Sequence, residues 1–159
     1  MRVWTLPAEV DTDQLVPGAA MKLEGPAMAA HCLRTLRPDF AGAVRPGDVI
    51  VAGPHFGIGS SREQAAGVLV HLGVAAVIAP SFAGLYFRNA FNLGLLLLTC
   101  PRAGEIHDGE TVALDARAAT VTRAGGEVLR CDPIPGFLLD MVEAGGLLPQ
   151  LEQRLKKTP

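Results

Sequence analysis

Three short apolar segments, separated by spacers of helix length, constrain the fold of this chain more than any other feature. Residues 48–52, 74–79 and 95–99 are mostly aliphatic and too short for helices, which is typical of buried strands. A glycine-rich turn leads from the first of them into a helical segment that ends near Gly73, and residues 81–92 form a second such segment. The alternation of strand and helix predicts a parallel core sheet with right-handed crossovers.

Beyond Cys100 the sequence changes to short segments of alternating polarity. They lie between turn pairs such as Asp108-Gly109 and comprise residues 111–114, 119–122 and 127–131. This pattern is typical of antiparallel strands joined by tight turns. We therefore expect an antiparallel meander after the parallel sheet, within an α/β fold.

Three further segments predict helices. Residues 137–143 and 147–157 follow Pro135 and are separated by two glycines, which indicates two closing helices, and residues 27–36 indicate a short one. A length of 159 residues is that of about one domain. Residues 1–159 are therefore expected to form a single domain.

Composition and charge exclude several classes of function. The net charge is −2 and no basic stripe occurs, so we expect no nucleic-acid partner. The longest apolar run, residues 93–98, is far shorter than the roughly 18 residues that span a bilayer, so we expect no membrane segment. Three widely spaced cysteines and the absence of a secretory signal favour a reducing cytoplasm.

No metal site is expected within this chain. His31 and Cys32 are the only close pair of soft ligands. Adjacent helical residues point away from each other, so we interpret them as a surface histidine and a buried cysteine.

The most informative segment is GIGSSRE at residues 57–63. Glycines at a turn between a strand and a helix let the backbone approach a ligand, and the first amides of a helix bind anions, which suggests a site for a carboxylate or phosphate. The same residues fit a capping box, in which Ser60 and Glu63 satisfy the free amides of the first turn. Spacing alone favours the cap. The Walker A, Rossmann and nucleophile-elbow motifs do not fit this segment.

Four ordered segments resemble the swivelling domain of the aconitase family. They read DTDQLVP at 11–17, VRPGDVIVAG at 44–53, FGIGSSREQA at 56–65 and SFAGLYFRNAFNLGL at 81–95. Over nearly its whole length, the chain resembles the small subunits of the 3-isopropylmalate dehydratase and homoaconitase family. The resemblance implies a three-layer β/β/α swivelling domain with a mostly parallel core sheet.

The resemblance also implies an enzyme subunit. In this family the small subunit is active only with a large subunit that carries a 4Fe-4S cluster, and the pair is a hydro-lyase acting on a small hydroxy acid. The expected reaction interconverts 2-isopropylmalate and 3-isopropylmalate in leucine biosynthesis. The lack of clustered cysteines in this chain agrees with a cluster held by the partner. When isolated, the chain is expected to form homodimers through the surface that its partner covers.

Site residues follow from the matching motif positions. The resemblance assigns the catalytic base to Ser60, acting as an alkoxide. Serine is a very weak base, so this role requires an electropositive pocket, which we expect from the helix amides and Arg62. Arg62 is also expected to hold a substrate carboxylate in a bidentate fork. Ser61 is expected to cap the helix or to bind substrate, and Gly59 to let the substrate approach the backbone.

Residues around the motif are assigned mainly structural roles. Asp11 and Asp13 lie one residue apart in a turn, where aspartates more often accept backbone amides than bind metal. Arg88 and Asn89 are expected to order the turn below the site or to pack at the interface.

The loop at residues 18–24 departs from the family pattern. The common small subunits carry an arginine and a tyrosine there, whereas this chain has Ala19 and Ala20. Lys22 keeps a cation at the matching place, and Met21 and Leu23 are expected to face an apolar substituent of the substrate.

Alternatives therefore remain for the function. Homoaconitate and dimethylmalate are alternative substrates, and a non-catalytic anion-binding domain is an alternative of a different class. Retention of both Ser60 and Arg62 favours the enzyme.

Overall fold

A computed structural model gives the fold of residues 1–157. Its centre is a parallel sheet with the strand order β1-β2-β3-β4. The strands are β1 Val3–Leu6, β2 Val49–Ala52, β3 Ala76–Ala79 and β4 Leu96–Thr99. The parallel core predicted from the three apolar segments is therefore confirmed.

Strand β1 was not predicted from the sequence. Its sequence, VWTL, is not the aliphatic run that predicted the other three strands, and it is defined by its pairing with β2. On its other side, Val3 donates its N–H to the Glu110 carbonyl and accepts one from Gly109, both at 2.9 Å. Strand β1 therefore joins the parallel sheet to the segment that leads into the meander.

The meander and the closing helices are confirmed. Strands β5 Val112–Asp115, β6 Thr120–Arg123 and β7 Val128–Arg130 pair antiparallel in that order. The alternating segments predicted these strands because each one buries a single face. The closing helices are α6 Gly136–Glu143 and α7 Leu147–Lys157.

Helices connect the strands of the parallel sheet and close the described part of the chain. In chain order they are α1 Thr12–Leu15, α2 Gly25–Ala29, α3 Phe40–Ala43, α4 Gln64–His71, α5 Gly84–Asn92, α6 Gly136–Glu143 and α7 Leu147–Lys157. Two short 3-10 segments lie at Gly18–Lys22 and Ala103–Glu105. Within residues 1–157, no helix is long and apolar enough to cross a membrane.

The helix expected at residues 27–36 is wrong in its extent. Helix α2 begins at Gly25 and ends at Ala29, and the chain continues in turns. Leu33 has a φ of +57°, which no helical residue adopts, and its N–H binds the Gln14 carbonyl at 3.0 Å. This tertiary hydrogen bond outweighs the local helical tendency.

Asp48 fixes the start of β2 against β1. It is only 6 % exposed and accepts hydrogen bonds from the Trp4 indole (2.9 Å) and the Arg45 N–H (3.0 Å). The Trp4 ring in turn packs edge-on against Phe40, with 5.2 Å between ring centroids. A buried carboxylate is tolerated here because it is hydrogen-bonded. These contacts hold in place the strand that precedes the glycine-rich turn.

Candidate active site

The glycine-rich segment after β2 lies against the segment after β1. Gly57 donates its N–H to the Val10 carbonyl (2.7 Å), and Thr12 donates its N–H to the Ile58 carbonyl (2.9 Å). Neighbouring parallel strands have their carboxyl ends at the same edge of a sheet, which is where open α/β sheets bind ligands. Two motifs that are far apart in the sequence therefore form one surface.

Ser60 lies on this surface and is held by Thr12. The Ser60 side chain is exposed, whereas Thr12 is only 1 % exposed. The Thr12 hydroxyl accepts the Ser60 N–H at 3.0 Å, and the two hydroxyl oxygens are 3.2 Å apart. Thr12 was not among the predicted site residues, which included only the aspartates on either side of it. No local pattern identifies this contact, because the two residues are 48 positions apart.

Gly59 is required by the close approach of these two residues. It has a φ of +102°, and a Cβ at this position would lie 3.0 Å from the Thr12 hydroxyl oxygen. Side chains of L residues rarely adopt this φ. Gly59 therefore shapes the turn that presents Ser60, and its contact with substrate stays a prediction.

The capping box predicted for Ser60 and Glu63 is wrong. Helix α4 begins at Gln64, its N-cap is Glu63, and no side chain caps it. The amides of the first turn bind the carbonyls of Arg62 and Glu63, at 3.0 to 3.2 Å. Ser60 is bound instead by Thr12, a contact that the Ser-x-x-Glu spacing does not include. The expectation that the helix amides contribute to a positive environment around Ser60 stays a prediction.

Ser61 does not cap the helix either. Its side chain is exposed, and its carbonyl accepts a hydrogen bond from Asn89 Nδ2 at 3.2 Å. The expectation that Asn89 orders the turn is confirmed by this contact. The other expectation for Ser61, a contact with substrate, stays a prediction.

Arg62 is not a solvated side chain, because it joins the Ser60 turn to the segment after β1. Its Nη1 donates to the Asp13 carboxylate and, at 3.0 Å, to the Val16 carbonyl. The Arg62 side chain is only 20 % exposed. Its Nη2 lies toward Gly18, where an added Cβ would be 4.0 Å away. The guanidinium therefore reaches the start of the loop expected to set specificity.

The two aspartates of the first motif have different roles. Asp11 caps α1 as expected, accepting the N–H groups of Asp13 (2.6 Å) and Gln14 (3.1 Å), and Gln14 completes the capping box by binding the Asp11 N–H at 2.9 Å. For Asp13 the expected backbone role is wrong, because its carboxylate pairs with Arg62. The pair combines a carboxylate that is 64 % exposed with a guanidinium that is 20 % exposed.

The motif at residues 81–95 supports the turn from below. The Tyr86 ring packs so closely on Gly57 that an added Cβ would lie 2.2 Å from it, and Phe56 packs edge-on against the same ring at 5.3 Å. Within residues 1–157, the buried Tyr86 hydroxyl has no hydrogen-bond partner, and burial raises its pKa well above the usual value. No sequence pattern indicated this role for Tyr86.

The loop at residues 18–24 lies next to this surface. Residues Gly18–Lys22 form a 3-10 segment in which Ala20 is 2 % exposed. Met21 is partly buried and packs on the core, whereas Lys22 is exposed and Leu23 is 36 % exposed. Their predicted contacts with substrate stay predictions.

The cysteines are buried thiols. Cys32, Cys100 and Cys131 are free and buried. Burial raises the pKa of Cys32 to about 12, so it stays protonated and is a poor metal ligand. In residues 1–157 no group of three or more His, Cys, Asp or Glu side chains is placed to hold a metal ion.

Comparison with known proteins assigns a family to this arrangement. The Aconitase C-terminal domain family matches residues 38–103. The 3-isopropylmalate dehydratase small subunit 1 of Methanopyrus kandleri is 40% identical over 155 residues, covering 96% of this chain and 91% of that protein. The 3-isopropylmalate dehydratase small subunit of Nautilia profundicola is 39% identical, with 98% and 95% covered.

A solved structure shares the fold as well. The crystal structure of 3-isopropylmalate dehydratase from Methanocaldococcus jannaschii superimposes with a TM-score of 0.91 at 36% identity, covering 98% of this chain and 93% of that one. The predicted three-layer α/β architecture is confirmed by this match. Sequence, fold and site lead to the same assignment: the chain belongs to the 3-isopropylmalate dehydratase small-subunit family of aconitase-type hydro-lyases.

Proposed function

We propose that this chain and a larger subunit together catalyse the reversible loss of water that interconverts 2-isopropylmalate and 3-isopropylmalate. One observation carries the proposal. In a chain of the dehydratase family, the exposed Ser60 hydroxyl is held by the buried Thr12, and Ser60 lies two residues before Arg62. This reaction, for which the relatives are named, would place the chain in leucine biosynthesis.

Ser60 is the proposed base. Its deprotonated Oγ takes a proton from the carbon next to a substrate carboxylate. The carbon–hydrogen bond breaks, and its electron pair forms the carbon–carbon double bond as hydroxide leaves the neighbouring carbon. Water then adds back in the opposite sense, with Ser60 returning the proton. The exposed position of Ser60 supports this role, because a substrate can reach its hydroxyl without rearrangement of the fold.

Arg62 is the proposed partner of a substrate carboxylate. Nη1 is engaged by Asp13 and Val16, and these contacts hold the guanidinium plane in place. The edge that carries Nη2 lies toward Gly18 and is assigned to the substrate. A fixed cation at this position also favours the alkoxide form of Ser60.

The larger subunit is required because the site is open on one side. Gly59, Ser60 and Ser61 are all exposed, and an alkoxide in contact with bulk water would be protonated at once. A second protein surface is proposed to cover this face. That subunit is also proposed to hold the 4Fe-4S cluster, because the described residues of this chain offer no suitable set of ligands. The cluster supplies a Lewis acid for the leaving hydroxyl.

The loop at residues 18–24 is the proposed determinant of specificity. Lys22 is assigned to a charged group of the substrate, and Met21 and Leu23 to its apolar substituent. The loop begins beside the Arg62 guanidinium, which supports its placement next to bound substrate. Leu23 is a partly exposed apolar residue, as a side chain that closes on an isopropyl group should be.

We also propose that the isolated chain self-associates and that it is located in the cytoplasm. Phe137, Leu148 and Leu155 are 63, 71 and 75% exposed, which favours association when no partner covers them. Free buried cysteines are consistent with a reducing compartment.

Anaerobic co-expression with the candidate large subunit tests the function. The ultraviolet absorbance of the unsaturated acid is followed. It should rise as 2-isopropylmalate, 3-isopropylmalate or dimethylmalate loses water, and fall if homoaconitate, which is already unsaturated, is hydrated. We expect turnover of the isopropylmalates that needs both chains. Turnover of another acid alone would contradict the substrate assignment. A stable, cluster-loaded complex that turns over none of them would contradict the enzymatic role and favour an anion-binding domain.

A further inference from the structure

We propose that Thr12 is a positioning residue that stabilises the ionised form of Ser60 by donating its hydroxyl proton to Ser60 Oγ. This inference rests on the proposed function of Ser60 as the base. It adds a buried group from outside the glycine-rich motif.

The hydrogen-bond inventory of Thr12 supports this direction of donation. A threonine hydroxyl has one proton and two lone pairs. One lone pair accepts the Ser60 N–H at 3.0 Å, and the remaining polar contact of this hydroxyl in the described part of the chain is Ser60 Oγ at 3.2 Å. While Ser60 is protonated, either hydroxyl can be the donor. Once Ser60 has lost its proton, only Thr12 can donate.

Burial makes this hydrogen bond effective. Thr12 is 1 % exposed, so water does not compete for its hydroxyl. Its backbone is fixed as well, because its N–H binds the Ile58 carbonyl at 2.9 Å and Asp11 caps the helix that it begins. A hydrogen bond to an ionised oxygen is roughly twice as strong as one between neutral groups. The contact therefore stabilises the alkoxide more than the alcohol, which lowers the pKa of Ser60.

The absence of a side chain at Gly59 permits this contact. A Cβ at Gly59 would lie 3.0 Å from the Thr12 hydroxyl oxygen and 3.7 Å from its backbone nitrogen. The glycine therefore leaves the space through which Thr12 reaches both the N–H and the Oγ of Ser60.

A thiol at position 60 reports on this interaction without any catalysis. In a Ser60→Cys chain, the pKa of the exposed thiol is measured from the pH dependence of its alkylation by iodoacetamide. Adding Thr12→Val removes the hydroxyl at nearly constant volume, and we expect the thiol pKa to rise by about one unit. Adding Thr12→Ser restores the hydroxyl and should return the pKa to the parent value.

Charged neighbours are the same in all of these chains. Asp11 and Asp13 flank Thr12 on the α1 segment, and Arg62 and Glu63 lie on the segment of Ser60. Differences in the thiol pKa therefore report the Thr12 hydroxyl. The chain without Ser60→Cys gives the background from the three buried cysteines, and Thr111→Val, the same change at an exposed threonine, is the matched control.

Turnover of the reconstituted complex provides the second measurement. Thr12→Val should lower kcat roughly 10- to 100-fold with little change in KM, and Thr12→Ser should restore most of it. A residue that merely supports the fold would lower the free energy of unfolding without moving the thiol pKa. Thr12→Ala replaces Thr12→Val should the latter fail to fold.

The outcomes separate this inference from the proposed function. An unchanged thiol pKa in Thr12→Val would overturn the role of Thr12, even in a complex whose activity depends on Ser60. A shifted pKa in a chain whose complex dehydrates no hydroxy acid would support the Thr12 interaction and reject the proposed reaction alone.

Discussion

Arg62 connects three parts of the site through one guanidinium. It follows Ser60 on the glycine-rich segment, it pairs with Asp13 on α1, and it binds the Val16 carbonyl just before the 18–24 loop. Five N–H donors in a rigid plane allow it to make these contacts and still present an edge to a ligand. A lysine ammonium has a single nitrogen and cannot do both.

Arg62→Lys is therefore expected to weaken substrate binding. Loss of one charge-assisted hydrogen bond corresponds to a rise in KM of roughly 10- to 100-fold, with a smaller change in kcat. Steady-state kinetics of the reconstituted complex measure both. A KM equal to that of the unmodified complex would remove Arg62 from substrate binding.

Gly57→Ala is expected to destabilise the chain by about 3 kcal/mol, because it combines overpacking with backbone strain. Gly57 has a φ of +82°, and an added Cβ would lie 2.2 Å from the Tyr86 ring. Gly126→Ala is the matched control, since Gly126 has a φ of +85° with no atom within 4 Å of the added Cβ. Urea denaturation compares the two. An equal loss in both variants would show that contact with Tyr86 contributes nothing.

At the scale of elements, strands with a clear pattern were predictable and contacts between elements were not. Strands β2, β3 and β4 follow from aliphatic runs of strand length bounded by turn residues. Strand β1 was not predicted because its sequence, VWTL, lacks such an aliphatic run, and only its pairing with β2 identifies it. The helix expected at residues 27–36 was wrong for a related reason, since a hydrogen bond from Leu33 to Gln14 ends it.

The candidate site shows the same division. Ser60 and Arg62 were identified because the glycine-rich motif is long and specific. The binding partners of these residues, Thr12 and Asp13, lie 48 and 49 positions away, and local spacing favoured a capping box that does not form. Pairings of this kind are decided by which strands are neighbours, which sequence periodicity alone does not reveal.

Asp108 ties the segment before the meander to β1, and its loss should alter the response to acid. The backbone N–H of Thr5 and the Arg37 guanidinium bind this carboxylate at 2.8 and 2.9 Å and lower its pKa below the usual value. A lowered folded-state pKa stabilises the fold above about pH 4, and that stabilisation is lost as the pH falls through the folded-state pKa.

Asp108→Ala should therefore unfold at lower urea concentration than the unmodified chain at pH 7, and the difference should shrink at pH 3. The effect is modest, because the Asp108 side chain is 51% exposed and water screens its charge. Asp132→Ala, at an exposed carboxylate elsewhere, is the control. A difference that stays constant from pH 7 to pH 3 would contradict the assigned linkage.

Exchange of residues 19–23 for the common family loop tests the specificity element. An arginine and a tyrosine would replace the small Ala19 and Ala20, of which Ala20 is buried, in the loop that begins beside Arg62. We expect the ratio of kcat/KM values for isopropylmalate and the competing acids to change by tenfold or more, which corresponds to about 1.4 kcal/mol. Unchanged ratios would exclude the loop from substrate selection.

The molecule as a whole is a scaffold that presents the candidate site at its surface. The parallel sheet aligns the ends of β1 and β2, the α5 segment supports the turn between them from below, and the site residues remain at the surface. The exposure of Ser60 agrees with the proposal that a second protein covers the site. Family membership, shown by full-length relatives and a matching solved structure, agrees with this division between two subunits.

The most direct test of the account is the turnover of 3-isopropylmalate by the two-subunit complex carrying Ser60→Ala. Thr111→Ala, which removes an exposed hydroxyl in the segment leading into the meander, is the matched control. We predict that Ser60→Ala lowers kcat by at least about a thousandfold, as loss of a catalytic base should, while assembly with the large subunit and the cluster content are unchanged. Turnover at the rate of the Thr111→Ala complex would contradict the assignment of Ser60 as the base.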